Sequence, residues 1–256
     1  MIDREENPEI LNSFLDYNMN VLNKSPNTLK EYNYDLNTFL KFLKIHFHAT
    51  SETDFEQITI SDIDIAFLKK VTLNDIYSFL GYLANEHKSM PATRARKTSA
   101  IKAFFKYLTQ KANLLEVNPA QNLEMPKIGK RLPKYLSLED SQKLLKVTYS
   151  EDNRNKERDY AIITLFLNCG MRLSELVGIN LKSIDFSEEK LTVIGKGNKE
   201  RTIYLNKACM NSINEYLKVR PHDKIKPASK DALFLSERKE RISNRTVQNV
   251  VKNELK

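Results

Sequence analysis

Apolar residues recurring at helical spacing, in a chain with little to interrupt them, set the first limit on what this sequence can fold into. Ser25-Pro26 reads as an N-cap followed by proline at the first helical position. Leu29, Tyr32, Leu36, Phe39, Leu40 and Leu43 then line one face. Ile10, Phe14, Val21 and Leu22 mark an earlier helix. Thr72-x-x-Asp75 is a capping-box-like start for a helix through Leu80 and Leu83. A fourth begins near Pro91, with Ile101, Phe104, Phe105 and Leu108 on its apolar side. Only 6 Gly and 8 Pro occur in 256 residues, which favours helix over turn-rich sheet. Four stripes on four helices predict a small bundle. Residues 48–70 read as an irregular polar connection with one short helical piece.

The pattern changes after Asn118-Pro119. Pro126, Gly129 and Pro133, interleaved with Lys127, Lys130 and Arg131, predict an extended basic linker. Ser137-x-x-Asp140 opens another helix. Ala161–Cys169 is apolar but for Thr164 and Asn168, as expected of a helix buried on most sides, and Gly170 breaks it. Ile184–Phe186, Leu191–Ile194 and Thr202–Leu205 have the composition of short strands bounded by turns, and helices are expected over Cys209–Val219 and Asn244–Glu254. The expected class is mainly α with a small antiparallel sheet. A four-helix unit spans 1–115, a basic linker 116–134 and a second unit 135–256.

Several functions are disfavoured by composition. Two cysteines, Cys169 and Cys209, are too few for a disulfide scaffold and fit a reducing compartment. The four His are scattered and no Cys/His cluster has metal-ligand spacing, so no metal site is expected. The N-terminus has no signal-peptide pattern, and no stretch approaches the roughly 18 apolar residues of a membrane span. The expectation is a soluble, cytoplasmic protein.

Net charge is +8, unevenly spread. Residues 1–118 hold 14 basic and 15 acidic residues, residues 119–256 hold 27 and 18. Between Glu86 and Glu116 no acid occurs, yet Lys88, Arg94, Arg96, Lys97, Lys102, Lys106 and Lys111 all fall there. On a helix, Arg96, Lys102 and Lys106 lie roughly 100–220° round from the apolar stripe. This pattern is either a solvated helix face or the electrostatic footprint of a nucleic-acid binder.

Two segments could carry chemistry. Arg172 directly follows the buried run, in Asn168-Cys-Gly-Met-Arg-Leu-Ser-Glu-Leu176. It could simply pair with Glu175 at i,i+3, or it could be a guanidinium fork for a phosphate with Glu175 holding it. Gly195-Lys196-Gly197-Asn198-Lys199-Glu200-Arg201 is the tip between two expected strands. It is not a P-loop, because no Ser or Thr follows Gly-Lys. It reads as a polar hairpin turn, or as a tip that brings Lys196 to a nucleic-acid backbone, where an ammonium can protonate a leaving oxygen.

Taken together, these segments closely resemble the tyrosine recombinase/integrase family in its bacterial Xer-type branch. The resemblance rests on Gly-x-Arg-x-Ser-Glu-Leu after a helix, then three strands carrying Gly-Lys-Gly-Asn-Lys-Glu-Arg. Ser25-Pro26-Asn27-Thr28-Leu29-x-x-Tyr32-x-x-Asp35-Leu36 matches the opening of the family's SAM-like core-binding domain, and Asn118-Pro119 with Leu132-Pro133-Lys134-Tyr135-Leu136-Ser137 matches its interdomain junction. The resemblance makes Arg172 the first catalytic arginine, Glu175 its supporting acid and Lys196 the catalytic hairpin lysine. It implies a C-shaped clamp on duplex DNA; from the basic block and the basic hairpin, Arg94, Arg96, Lys97, Lys102, Lys106, Lys199 and Arg201 are expected to contact that DNA. It also implies strand exchange through a 3′-phosphotyrosyl link, no metal or nucleotide cofactor, and a homo- or hetero-tetramer on DNA. Chromosome-dimer resolution and mobile-element movement are both compatible with it.

The family pattern continues with a His-x-x-Arg box, a further His or Trp, and the nucleophilic Tyr, which have no counterpart here. The last His is His222 and the last Tyr is Tyr216. The expectation is therefore a catalytic domain cut before its second half, which binds DNA without cleaving it alone. The alternative is a non-catalytic DNA-binding regulator or blocker derived from a recombinase.

Overall fold

The structure, a computed structural model, describes residues 4–129, 132, 135–195, 197 and 199–254. The chain divides into two compact units, residues 1–132 and 133–256, each with its own apolar core. Among the described residues, no helix is long and apolar enough to cross a membrane.

The first unit carries α1 (Glu9–Asn20), α2 (Pro26–His46), the single turn α3 (Ile65–Leu68), α4 (Leu73–Asn85) and α5 (Pro91–Gln110). Local chemistry sets the helix starts. The Ser25 hydroxyl accepts the Thr28 N–H with Pro26 at the first helical position. Thr72 and Asp75 exchange the reciprocal bonds of a capping box at α4. Phe14 meets Phe104 edge-on, with centroids 5.4 Å apart, and Phe39 meets Phe79 at 5.1 Å. These contacts join α1 to α5 and α2 to α4.

Two segments differ from the sequence expectation. The stretch 48–70 is more than a polar connection, because Ile60, Ile63 and Leu68 are buried in the first core. The expected linker also starts late: Ala120 and Leu123 lie in that same core. Isolated apolar residues in an aperiodic segment carry no helical or strand signal, so their burial is invisible to a pattern reading.

A buried charge cluster joins α2 to α5. Asp35 accepts from Lys97 Nζ at 3.0 Å through Oδ1 and from Arg96 Nη1 at 2.7 Å through Oδ2. Lys97 also donates to Thr38 Oγ1 at 3.2 Å and lies 4.6 Å from the Tyr34 ring centroid. Burial pushes the Asp35 carboxyl up and the Lys97 ammonium down, each toward its neutral form, against their mutual attraction. Such a pair adds little net stability but is costly to break on one side.

The second unit carries α6 (Leu138–Thr148), α7 (Lys156–Cys169), α8 (Leu173–Gly178), β1 (Ile184–Asp185), β2 (Lys190–Ile194), β3 (Glu200–Tyr204), α9 (Lys207–Val219) and α10 (Asn244–Glu254). The sheet is antiparallel in the order β1-β2-β3, with Ile184 opposite Leu191 and Leu191 opposite Ile203. Leu191 and Val193 point into the core, while Thr192 and Ile194 point out, the period of two that a half-covered sheet requires. Helix α7 packs along α9, with Ala161, Ile162, Leu165, Cys209 and Ile213 buried between the elements of this core.

Asp35→Ala should destabilise the first unit by about 3 kcal/mol, because it leaves the Lys97 ammonium buried and unpaired. In urea unfolding the double variant Asp35→Leu/Lys97→Met should recover most of that loss. Equal instability of the single and double variants would contradict the ion-pair account.

Candidate functional site

Arg172 is placed by the way α7 ends. Gly170 takes φ 53°, a left-handed conformation that favours glycine, and closes the last turn of the helix with its N–H on the Phe166 carbonyl. Met171 dips into the core, and Arg172 becomes the N-cap residue of α8. Three residues on, Glu175 turns its carboxylate back. Oε2 accepts the Arg172 backbone N–H at 2.7 Å, and Oε1 accepts Arg172 Nη1 at 2.9 Å. A second guanidinium arrives from β3, where Arg201 Nη2 donates to Oε2 at 2.9 Å.

The exposures give this cluster its direction. The Glu175 side chain is 0% exposed, whereas the side chains of Arg172 and Arg201 are 67% and 44% exposed. The carboxylate therefore lies one side chain beneath the surface, roofed by two cations that face outward. Burial alone would raise its pKa. The Arg172 backbone N–H and the Arg201 and Arg172 guanidiniums outweigh burial and hold it at about 2.

The hairpin tip meets the same cluster. A Cβ added at Gly195 would stand 3.2 Å from Glu175 Oε1 and 3.8 Å from Arg172 Nη1. Glycine lets the β2–β3 turn approach this closely without displacing the Glu175 side chain, which a Cβ would push back by a few tenths of an ångström. The Gly195 N–H donates to the Lys199 carbonyl at 2.8 Å, which closes the base of the turn. Lys199 is exposed, while Lys196 lies outside the described residues. The structure thus brings Arg172, Glu175 and Arg201 together. Sequence reading separated Arg201 from that pair, because nothing in β3 reveals which carboxylate it meets. Gly195 was missed as a packing residue, and its position at the junction of strand and turn was the one available signal.

The basic block of the first unit is less free than its sequence suggests. Lys97, expected among the DNA-binding residues, is 4% exposed and hydrogen-bonded to Asp35. Arg96 bonds Glu31 and Asp35, Arg94 bonds the Ser89 carbonyl, and Lys102 Nζ donates to the Leu123 carbonyl at 2.7 Å. Lys106 is exposed. A helical wheel separates α5 into faces but does not show that α2 presents acids to the basic one.

Comparison with known proteins defines the class this fold and site belong to. The model of the phage integrase family matches residues 134–256, and that of the phage integrase N-terminal SAM-like domain matches residues 11–112. The tyrosine recombinase XerC of Caldanaerobacter subterraneus subsp. tengcongensis is 53% identical over 250 residues, covering 97% of this chain and 69% of that protein. The tyrosine recombinase XerC of Alcanivorax borkumensis is 38% identical over 182 residues, covering 71% of this chain and 58% of that protein. Among solved structures, the XerH site-specific recombinase bound to palindromic difH substrate, a post-cleavage complex, aligns with a TM-score of 0.65 at 19% identity. That alignment covers 95% of this chain and 67% of that one, and the likeness is one of fold. The two units thus correspond to an integrase-family domain preceded by a SAM-like domain. The chain belongs to the phage integrase family, among its tyrosine recombinases.

Glu175→Gln should weaken the second unit by about 2 kcal/mol, the scale of hydrogen bonds to a charged group. The acid side of the stability curve should change as well. The folded carboxylate sits at about 2 against an ordinary 4.5. Its contribution is therefore fully present above pH 4.5 and is lost as pH falls from there toward 2. Chemical unfolding across that range should show a shallower pH dependence for Glu175→Gln than for the parent chain.

Proposed function

We propose that this chain binds duplex DNA and holds a scissile phosphate at Arg172 for site-specific strand exchange through a 3′-phosphotyrosyl link. The observation that carries this reading is the pair of outward-facing guanidiniums fixed on one buried carboxylate. Each arginine keeps further N–H donors for a phosphoryl oxygen, and charge developing there in the transition state would be stabilised by donors already in place. Glu175 both orients Arg172 and offsets the repulsion between the two cations. Lys196 is the proposed general acid for the 5′ leaving oxygen. Its neighbour Gly195 lies against the cluster, so the turn that carries Lys196 starts at the site. Since the phosphotyrosyl link conserves the phosphodiester energy, no metal or nucleotide is called for. The proposed setting is the cytoplasm, where assembly of several protomers would bring two DNA strands together for exchange.

The nucleophile is the open part of this proposal. Two tyrosines follow Lys196 in the 256 residues, Tyr204 and Tyr216. Tyr216 is buried, its hydroxyl accepts the Leu235 backbone N–H at 3.1 Å, and burial raises its pKa. Tyr204 is exposed on β3, with the Lys190 ammonium 5.7 Å from its ring centroid. Tyr160, upstream, stacks edge-on with Tyr149 at 5.1 Å. All three have packing or surface roles, so we propose that these residues bind DNA without forming a covalent adduct alone. Incubation with a nicked suicide duplex, followed by denaturing electrophoresis, should give no shifted, protease-sensitive band. Such a band would overturn this part of the proposal.

Binding should be strongly salt-dependent. With about six phosphates neutralised, log K should fall against log salt with a slope near −5. Lys106→Ala should weaken binding to all sequences alike and make that slope shallower by about one. Arg172→Ala, in a chain that cleaves DNA, should lower the cleavage rate by about 10²–10³, the loss expected for one charge-stabilising donor. Cleavage unchanged by Arg172→Ala would refute the reading of the site.

A further inference from the structure

The sequence contains two cysteines, forty positions apart, and the fold places them side by side. Cys169 is the last residue of α7, Cys209 lies in the first turn of α9, and their Sγ atoms are 3.7 Å apart. Both are free thiols. The segments that carry them are also tied by the Asn206 side-chain amide, which donates to Asn168 Oδ1 at 2.7 Å. Asn206 caps α9 as well, since its Oδ1 accepts the Cys209 N–H at 2.9 Å. The sulfurs are thus held in van der Waals contact by two fixed helix ends. We propose that Cys169 and Cys209 form a reversible oxidation site, a hydroperoxide-reactive dithiol that closes to an intrachain disulfide at the root of the Arg172 segment.

The two thiols are unequal in the way such chemistry requires. Cys169 is partly exposed, and Cys209 is fully buried. The hydrogen bond from Cys209 and the charge of Arg201 favour thiolate at Cys169, and they outweigh its partial burial. Cys209 is pushed up by the same bond and by burial. Cys169 is therefore the attacking sulfur and Cys209 the resolving one. In the first step the Cys169 thiolate attacks a peroxide oxygen. The O–O bond breaks, and hydroxide leaves and takes up a proton as water. Cys169 is oxidised to a sulfenic acid. In the second, Cys209 sulfur attacks the sulfenic sulfur. The S–O bond breaks, and the departing hydroxide carries off the Cys209 proton as a second water. Two thiols are oxidised and one peroxide is reduced to two waters. A reducing thiol reverses the bond by exchange.

The bond would shorten the contact from 3.7 Å to about 2.05 Å, a closure within reach of side-chain rotation and small shifts of the two helix ends. Gly170 and Met171 alone separate Cys169 from Arg172. The disulfide would therefore form immediately before the turn from which the arginine projects.

The test is titration of the full chain with hydrogen peroxide, blocking of residual thiols with an alkylating reagent, and non-reducing peptide mass spectrometry. The expected product is a monomer lighter by the two thiol hydrogens, with one cross-linked peptide pair joining Cys169 to Cys209, restored by dithiothreitol. Cys209→Ser should stop at a sulfenic acid on Cys169 that dimedone traps. Cys169→Ser should leave Cys209 unmodified at the same peroxide dose. Cross-links between chains, both thiols still alkylated after peroxide, or dimedone on Cys209 in preference to Cys169 would each overturn the proposal. Circular dichroism of both variants separates a chemical effect from failure to fold.

Discussion

One carboxylate organises the second unit. Glu175 is buried, yet its two oxygens accept the Arg172 backbone N–H, the Arg172 guanidinium and the Arg201 guanidinium. It starts α8 by satisfying an otherwise orphaned N–H. It fastens β3 to α8. It also crowds the position of a side chain at Gly195, where the hairpin turn comes against it. Remove that charge, and two guanidiniums face each other with only solvent to separate them. The depressed pKa of Glu175 expresses the same arrangement, because protonation would remove the charge that the two guanidiniums attract and weaken the bonds they make to it.

Much of this fold was legible because its boundaries are written in local chemistry. Ser25-Pro26, Thr72 with Asp75, and Ser137 all cap helices as their side chains predict, and Gly170 ends α7 in the one conformation that favours it. The three strands follow from β-branched residues between turns. What stayed hidden needs tertiary proximity. Asp35 was part of a family-like opening in the sequence, but its partners Arg96 and Lys97 stand more than sixty residues away. The Arg172–Glu175 pairing was foreseeable at i,i+3 spacing, whereas Arg201 joining the same carboxylate was not. The contact between Cys169 and Cys209 is likewise a product of α7 packing along α9.

Net charge was the most overread quantity. A surplus of basic residues suggests a polyanion partner only to the extent that the cations reach solvent. Several here do not. Arg220 is buried and donates to the carbonyls of Leu233, Ala232 and Lys230. Arg241 donates to the carbonyls of Val177 and Ile179, and Arg158 pairs with Asp159 while reaching the Leu235 carbonyl. Arg220 and Arg158 hold irregular backbone after α9, and Arg241 ties that region to the end of α8. Their charges are structural, as is that of Lys97 in the first unit. The electrostatic footprint is smaller than the composition implies, because part of the positive charge is taken up by the protein's own carbonyls and carboxylates; Lys106 in the first unit and Lys199, Arg172 and Arg201 in the second are among the cations that remain outward.

That redistribution bears on how a phosphate would be held. An arginine on a flexible chain must lose rotamer freedom when it grips an anion, which weakens binding. Arg172 and Arg201 have lost part of that freedom on folding, since each is anchored through one nitrogen to a buried acceptor. The remaining donors of each guanidinium fork stay available, because a planar group held at one edge still presents its others. The acid that anchors them is shielded beneath, so an incoming phosphate meets positive charge before it meets Glu175. Placing a carboxylate beneath an anion site looks unfavourable in a simple count of charges. Here it is what holds two like charges on one acceptor, the arrangement on which the proposed phosphate contact rests.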